Sequence, residues 1–181
     1  MTTATRPWRL RAASIEDCDA LALVGAATFL DTFAGILDGK GLIEHCRRQH
    51  AAEAYRAALS SSGKAWLAEA EEGGAPIGYA LASAPTLEQA EPGDIELKRI
   101  YALSRYHGTG IAADLLQAVI AAHGDSERLL LGVKDDNRRA IAFYRKHGFD
   151  TIGTRRFDVG GILYDDIVMA RPLKQTLQIS S

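Results

Sequence analysis

The 181-residue sequence is poor in cysteine and has only five prolines. Cys18 and Cys46 are too few for a disulfide framework, and their spacing does not match a metal-binding motif. The first ten residues lack the apolar core of a signal peptide. We therefore expect no metal ion, and we expect the protein in a reducing, cytoplasmic location.

The sequence also lacks an excess of basic residues and a long apolar run. Its 21 Lys and Arg residues against 23 Asp and Glu residues give a net charge of -2, so no overall positive field attracts nucleic acid or anionic lipid. The longest apolar stretch, near residues 20–30, is shorter than the roughly 20 residues that span a bilayer. These absences predict a soluble protein that binds neither nucleic acid nor membrane.

The patterning that is present predicts an α/β domain with a mixed sheet. A strand near residue 8 is followed by a helix that opens at Ser14 and Asp17, which are spaced as in a capping box. Two more helical stretches, a β-hairpin and a further strand come next. The last part predicts helix 111–123, strand 128–133, helix 137–148 and two final strands.

A glycine-rich turn, "RYHGTGIAADLL" at residues 105–116, comes directly before one of these helices. Gly108 and Gly110 have no Cβ, so a ligand can approach the main chain closely. The first N–H groups of the helix have no partner within it and favour an anion. Taken alone, the turn is equally consistent with an ordinary loop before a helix.

Two nucleotide-binding motifs can be compared with this turn. The phosphate loop of NTPases requires a lysine and a hydroxyl residue that are absent here. "GTGIAA" does satisfy the dinucleotide fingerprint, but residues 104–107 separate the turn from the preceding strand, and only about one further helix follows. We therefore regard binding of an NAD-type dinucleotide as the weaker alternative.

The segment from residue 96 to residue 149 resembles the GNAT superfamily of N-acetyltransferases. Arg105, Gly108 and Gly110 match the pattern R/Q-x-x-G-x-G/A, and a second signature, N-x-x-A-x-x-F-Y-x-x-x-G-F, is complete at residues 137–149. The resemblance implies a single domain over residues 8–172, with a frayed tail at 173–181. It implies the GNAT acyl-CoA N-acyltransferase fold, in which helices flank a twisted, mixed, mostly antiparallel central sheet.

The resemblance also implies acetyl-CoA as co-substrate, without a metal. The pyrophosphate would bind at the turn, through the residues Arg105, Gly108, Thr109, Gly110, Ile111 and Ala112. Ile100 and Ala102 would contact the pantetheine arm through the main chain of a strand that splays from its neighbour. Asn137 would hydrogen-bond the same arm, although asparagine before a helix is equally typical of an N-cap.

Two residues are candidates for catalysis. By resemblance, Tyr144 protonates the departing CoA thiolate; the alternative is a core aromatic residue beside Phe143. Glu96 is our candidate to accept the proton of the amine, directly or through water, although an exposed strand glutamate paired with Lys98 or Arg99 is nearly as plausible.

Three other positions are predicted to have no catalytic role. Some enzymes that acetylate protein N-termini have a glutamate near the place where this chain has Gly132. His107 and His123 show no metal-ligand spacing, and we expect both at the surface without a role in catalysis.

The acceptor pocket is predicted in the N-terminal part. This part, together with "ELKRIY", is similar to bacterial polyamine (spermidine/spermine) acetyltransferases. Phe29 and Phe33 could form apolar or cation–π walls, and Asp31 or Glu44 could bind a second ammonium group. The alternative is a set of core aromatics beside solvated helix acids.

The sequence thus predicts an N-acetyltransferase that transfers acetyl to a small primary amine or polyamine by direct attack in a ternary complex. Acetylation of protein or peptide α-amines is the alternative within the same chemistry. A non-catalytic CoA-binding domain is the alternative of another class. A homodimer is possible.

Overall fold

The computed structural model describes residues 6–174. In chain order the described elements are β1 (Trp8–Ala12), α1 (Cys18–Phe33), α2 (Gly39–Gln49), α3 (Ala52–Ser60), β2 (Lys64–Ala70), β3 (Pro76–Ser83), β4 (Ile95–Ala102), α4 (Ile111–Ala122), β5 (Arg128–Lys134), α5 (Arg138–Lys146), β6 (Asp150–Val159) and β7 (Ile162–Pro172). Short 3-10 turns lie at Ile15–Asp17 and Ser104–Tyr106. The order and type of the elements agree with the sequence prediction.

The predicted capping box is present, but it caps a 3-10 turn. Asp17 Oδ2 accepts a hydrogen bond from the Ser14 N–H at 2.7 Å, while Ser14 Oγ accepts from the Glu16 N–H. The regular helix α1 begins only at Cys18. At the other end of the chain, α5 is followed by Gly148 at a φ of +83°, as its helix-ending position predicts.

All strands belong to a seven-stranded sheet of order β1-β2-β3-β4-β5-β7-β6. Only β4 and β5 run parallel, and the other neighbours are antiparallel. This confirms the mixed, mostly antiparallel sheet. The parallel pair is short, because only Ile95 with Leu129 and Glu96 with Leu130 are in register. The two strands therefore part just after Glu96.

A β-bulge in β4 decides which side chains face which side of the sheet. The register moves from Leu81 opposite Arg99 to Ala82 opposite Leu97, so Lys98 is the extra residue. Leu97 and Ala102 join the core on the side of α4 and α5. Tyr101 joins the core on the side of α1 and α3.

Helices cover both faces of the sheet. One core cluster includes Leu115 of α4 and Tyr144 of α5, and a second is built from Leu21 of α1 and Tyr55 of α3. A third, smaller cluster joins α1 and α2 to Val159 at the end of β6. The region where β4 and β5 part is thus enclosed by elements from both halves of the chain.

The predicted frayed tail lies mostly outside the described residues. Its first two residues, Leu173 and Lys174, both contact Glu127. The Leu173 N–H donates to the Glu127 carbonyl oxygen at 2.9 Å, and Lys174 forms an ion pair with the Glu127 side chain. Residues 175–181 are not described. Within residues 6–174, no helix has the length and apolar character needed to cross a membrane.

Candidate active site

A cavity of about 870 Å³ opens where β4 and β5 part. One wall consists of β4, β5, the glycine turn with the start of α4, and α5. The opposite wall comes from α1, α2 and the strands β6 and β7. Both sequence motifs and the predicted acceptor region therefore meet in one space.

The glycine turn presents bare backbone to this cavity. Gly108 and Gly110 have φ values of +78° and +98°, and Gly110 is the N-cap of α4. No atom of the described residues outside their immediate chain neighbours lies within 4 Å of a Cβ built at either glycine. These positive φ values strain any other residue. The turn thus combines open space with the unpaired N–H groups of a helix start.

The predicted cofactor residues divide into two groups. Six of those near the turn and strand line the cavity: Ile100, Ala102, Gly108, Gly110, Ile111 and Ala112. Arg105 and Thr109 lie outside its lining. The Arg105 guanidinium is 5.4 Å from the centre of the Tyr106 ring, and the Thr109 hydroxyl donates to the Tyr106 carbonyl oxygen at 2.5 Å. Their contacts stabilise the turn from outside.

The edge of β4 beyond Glu96 has main-chain groups that β5 does not pair. Ile100 and Ala102 lie on this stretch, and their side chains pack toward α4. The splay that the sequence alone could not show is therefore present. An extended ligand with amide groups could pair with this edge as an additional strand would.

Asn137 combines its two predicted roles in one position. Its Oδ1 accepts a hydrogen bond from the Ala140 N–H at 3.2 Å, so it is the N-cap of α5. The same residue lines the cavity. Capping fixes the amide at the wall while leaving its NH₂ group available as a donor.

Tyr144 is a buried phenol on the cavity wall, two helical turns after Asn137. Its ring packs against Phe143 and Phe149 at centroid distances of 5.4 and 5.5 Å. Burial raises the pKa of Tyr144, with a smaller contribution from Tyr101. The hydroxyl consequently stays protonated at neutral pH and can act as a proton donor.

Glu96 lies at the point where the strands part, and only 2% of it is exposed. Its Oε2 accepts from the Thr86 N–H at 2.8 Å and from Lys98 Nζ at 2.6 Å. Arg155 Nη1 is 3.9 Å from Oε1. The ion pair with Lys98 is therefore present, but the residue is buried in the cavity wall rather than exposed, and Oε1 is the oxygen left to accept a proton.

Arg155 occupies the space beside Gly132. A Cβ built at Gly132 would collide with the Arg155 guanidinium, so any other residue there would require Arg155 to move. Arg155 Nε is 3.0 Å from Asp166 Oδ2. Burial raises the pKa of Asp166, and Arg155 opposes this effect. Asp166 is thus a second cavity carboxylate, which sequence reasoning missed because it lies on the distant strand β7.

Two of the four predicted acceptor residues line the cavity, and the other two do not. Phe29 and Phe33 line the cavity, with ring centroids 4.7 Å apart. Asp31 and Glu44 lie outside the lining. Asp31 accepts a hydrogen bond from the Ser104 N–H at 2.8 Å, whereas Glu44 pairs with Arg48 at 2.6 Å along α2. Both acids have partners away from the aromatic walls.

A buried polar cluster lies beside Phe29 on the cavity wall, and no local sequence pattern predicted it. His50 Nδ1 is 2.8 Å from the Tyr55 hydroxyl, and Gly25 leaves the room that this pair needs. His45 stacks on Phe29 at 4.4 Å. Burial, assisted by the charge of Arg99, lowers the pKa of His45 to about 4 and that of His50 to about 3. Both imidazoles are therefore neutral at pH 7.

The two histidines that were expected at the surface differ. His107 is exposed in the glycine turn, where its ring lies 3.0 Å from the Ala102 carbonyl oxygen. The expectation for His123 is wrong, since it is only 8% exposed and its Nδ1 contacts the Val119 carbonyl oxygen at 2.8 Å. Trp66 covers its ring. The contact with Trp66 could not be predicted, because it depends on the position of β2 beside the end of α4.

Comparison with known proteins identifies the family. The family model described as the acetyltransferase (GNAT) family matches residues 36–149, and the chain belongs to this family. The chain is 42% identical over 106 residues to an uncharacterized N-acetyltransferase of Mycobacterium tuberculosis (strain ATCC 25618 / H37Rv). It is equally similar to one of Mycobacterium bovis. The match covers 58% of this chain and 65% of each relative.

Solved structures share the fold at low sequence identity. PaiA N-acetyltransferase from Thermoplasma acidophilum, in complex with coenzyme A, superimposes with a TM-score of 0.74 at 21% identity, covering 91% of this chain and 98% of that one. Ribosomal-protein-S18-alanine N-acetyltransferase from Escherichia coli gives 0.64 at 17% identity, with 96% and 99% covered. The predicted GNAT fold is confirmed.

Proposed function

We propose that the protein transfers the acetyl group of acetyl-CoA to the nitrogen of a small primary amine. The observation that carries the proposal is the single cavity in which the parted strands, the glycine turn, Tyr144 and Glu96 meet. Membership of the family and the CoA complex of the Thermoplasma structure support it.

The residues present fit acetyl-CoA. The turn at Gly108 and Gly110 would hold the pyrophosphate through backbone N–H groups, which suits a protein with a net charge of -2. The free edge of β4 and the Asn137 amide would hold the pantetheine arm. Bound acetyl-CoA supplies an acetyl thioester.

Two side chains, Glu96 and Tyr144, then take part in proton transfer. An ammonium has no lone pair, so the acceptor must first lose a proton, and Glu96 Oε1 accepts it directly or through one water. The amine nitrogen forms the new bond to the acetyl carbon as the carbon–sulfur bond breaks. The Tyr144 hydroxyl donates a proton to the departing sulfur. The nitrogen, now bonded to the acetyl carbon, releases its second proton, which restores the Tyr144 phenol through solvent. No acyl group is transferred to the protein, so both substrates must be bound together.

Two classes of amine are candidates for the acceptor. A polyamine is one candidate, on the resemblance of "ELKRIY" to polyamine acetyltransferases. However, Asp31 and Glu44, which were expected to bind its second ammonium, lie outside the cavity lining. Peptide α-amines are the other candidate, and a domain that only binds CoA is the non-enzymatic one.

Release of CoA thiol from acetyl-CoA over an amine panel tests the proposed reaction. We expect turnover with at least one small amine and a higher melting temperature with acetyl-CoA than with NADH. Gly110→Val should weaken acetyl-CoA binding by at least about 10-fold, because its Cβ branches enter the turn and its φ is strained.

Gly73→Val is the matched control for this variant, since Gly73 has a φ of +77° in open space away from the cavity. It should lower stability and leave acetyl-CoA affinity unchanged. Binding of acetyl-CoA without thiol release for any amine would leave the non-catalytic alternative. Stabilisation by NADH alone would contradict the proposal.

A further inference from the structure

Arg99 differs from Lys98 and Arg155, two other basic side chains that line the cavity from strands of the sheet. Lys98 is paired with Glu96 at 2.6 Å, and Arg155 is paired with Asp166 at 3.0 Å. Arg99 lines the same cavity, yet no carboxylate of the described residues lies within 4 Å of it. The cavity therefore contains a guanidinium group that forms no ion pair with a carboxylate of the described residues.

The contacts of Arg99 hold the guanidinium without compensating its charge. Its Nη2 donates to Gln49 Oε1 at 3.2 Å, and its Cζ lies 5.2 Å from the centre of the Tyr55 ring. A neutral amide and an aromatic face orient the group and leave most of its five N–H donors available. Oriented, half-buried guanidinium groups recognise carboxylates through paired hydrogen bonds.

The surroundings of Arg99 favour an anion. His45 and His50 are neutral at pH 7, because burial and the charge of Arg99 lower their pKa values to about 4 and about 3. They add hydrogen-bonding atoms without a further charge. Phe29 and Phe33 complete an apolar wall for the body of a ligand. A second ammonium group in this corner would meet a fixed positive charge.

We propose that the acceptor is a primary amine that also carries a carboxylate, and that Arg99 binds this carboxylate. The inference rests on the proposed acetyl transfer and names the substrate class for the same site. Glu96 and Arg99 are three residues apart on β4, roughly 10 Å along a strand. One ligand between the aromatic walls can therefore place its amine toward Glu96 and its carboxylate toward Arg99.

The test compares amines that differ only by a carboxylate. We would measure kcat/KM for amino acids and for the amines formed from them by removal of the carboxyl group, including ω-amino acids of increasing length. We expect the carboxylate to raise kcat/KM by about 10- to 100-fold in the best pair, as expected for charged hydrogen bonds.

Two variants assign the effect to Arg99. Arg99→Met should lower kcat/KM for the amino acid by at least about 10-fold more than for the matched amine, so that the preference for the carboxylate is lost. Gln49→Glu keeps Arg99 and places a carboxylate beside it, so it should lower kcat/KM for the amino acid alone. Arg156→Met is the control, because Arg156 is 70% exposed on β6 and does not line the cavity.

The outcomes separate this proposal from the acetyl-transfer proposal. Good turnover of carboxyl-free amines or polyamines, with no gain from a carboxylate and no effect of Arg99→Met, would overturn the role of Arg99 and leave acetyl transfer standing. If no compound is acetylated, calorimetry of the amino acids with CoA-saturated protein decides. Absence of binding would also overturn the proposal, whereas binding lost in Gln49→Glu would support it.

Discussion

At the scale of single residues, the burial of Tyr144 has two opposite effects on its ability to donate a proton. A raised pKa makes the phenol a weak acid, yet it also ensures that the proton is present at neutral pH. A thiolate in the same apolar surroundings is destabilised as well, so its affinity for a proton rises with that of the phenol. Burial therefore raises both pKa values together and does not by itself widen the gap between donor and acceptor.

This argument predicts the effect of Tyr144→Phe. The ring and its packing against Phe149 are kept, so acetyl-CoA affinity by calorimetry should change little. Turnover should fall by about 10²- to 10⁴-fold, because the proton donor is lost. Single-turnover rates should be measured so that chemistry limits the rate. Equal rates in the two proteins would mean that solvent or another residue protonates the thiolate.

Glu96 can be tested through the pH dependence of the reaction. Glu96→Gln keeps the size of the side chain but cannot accept a proton as a carboxylate. Single-turnover rates should fall most at low pH and recover partly from about pH 6.5 to about 9.5, since more neutral amine is then present in solution. Acetyl-CoA should still bind.

Asp166→Asn is the matched variant for this experiment, because Asp166 is the other buried carboxylate of the cavity whose partner is Arg155. If Asp166→Asn shows the pH-dependent loss and Glu96→Gln runs parallel to the wild type, the base is Asp166. A loss in both would indicate that the two carboxylates act through one relay.

At the scale of elements, most boundaries could be predicted because they depend on local patterns. The helix start at Ile111 and the glycine that ends α5 depend on neighbouring residues. The capping box at Ser14 is also local, but it caps a 3-10 turn, and α1 begins only at Cys18. The splay of β4 from β5 and the bulge at Lys98 could not be predicted from local patterns, since both depend on pairing between distant strands. The splay was expected only by resemblance.

The contact between β5 and β6 at Gly132 gives a prediction for two elements together. Gly132→Ala should push the Arg155 guanidinium away from Asp166 and leave that buried carboxylate poorly paired. We expect a loss of stability of about 1–3 kcal/mol in urea unfolding, together with reduced turnover.

A double-mutant cycle checks the cause of this loss. Once Arg155 is shortened in Arg155→Ala, adding Gly132→Ala should cost little more, because the colliding group is gone. Gly124→Ala is the control, since a Cβ there meets open space at an ordinary φ. Additive losses at the two positions would show that the collision is relieved without moving Arg155.

At the scale of the whole molecule, the site depends on contacts that span the chain. The second signature, Asn137 to Phe149, could be recognised because its residues are contiguous. The position of Asp166 in the cavity and the contact between Arg99 and Gln49 were not predicted, because β4, α2 and β7 come together only in the folded protein. Asp31 and Glu44 were expected at the acceptor site but lie outside the cavity lining. Their spacing along the helices does not determine which side of α1 or α2 faces the cavity.

The buried histidines should make the stability of the whole protein depend on pH. Below about pH 6.5 the unfolded chain binds a proton at His45 and at His50, whereas the folded protein resists protonation until near pH 4 and pH 3. The stabilisation is therefore present above pH 6.5 and is lost as the pH falls. Between pH 7 and pH 5 the loss should be about 2 kcal/mol for each histidine.

Urea unfolding of the wild type and of His50→Gln over this range measures the effect. Gln cannot be protonated, so the variant should lose about half as much stability as the wild type on acidification. Between pH 7 and pH 8 the two curves should run parallel, because the imidazoles are neutral in both states. The raised pKa of Asp166 acts in the opposite direction but is common to both proteins and cancels in the comparison. Equal slopes between pH 7 and pH 5 would show that His50 takes up its proton in the folded state, which its burial against Phe29 and Tyr55 should prevent.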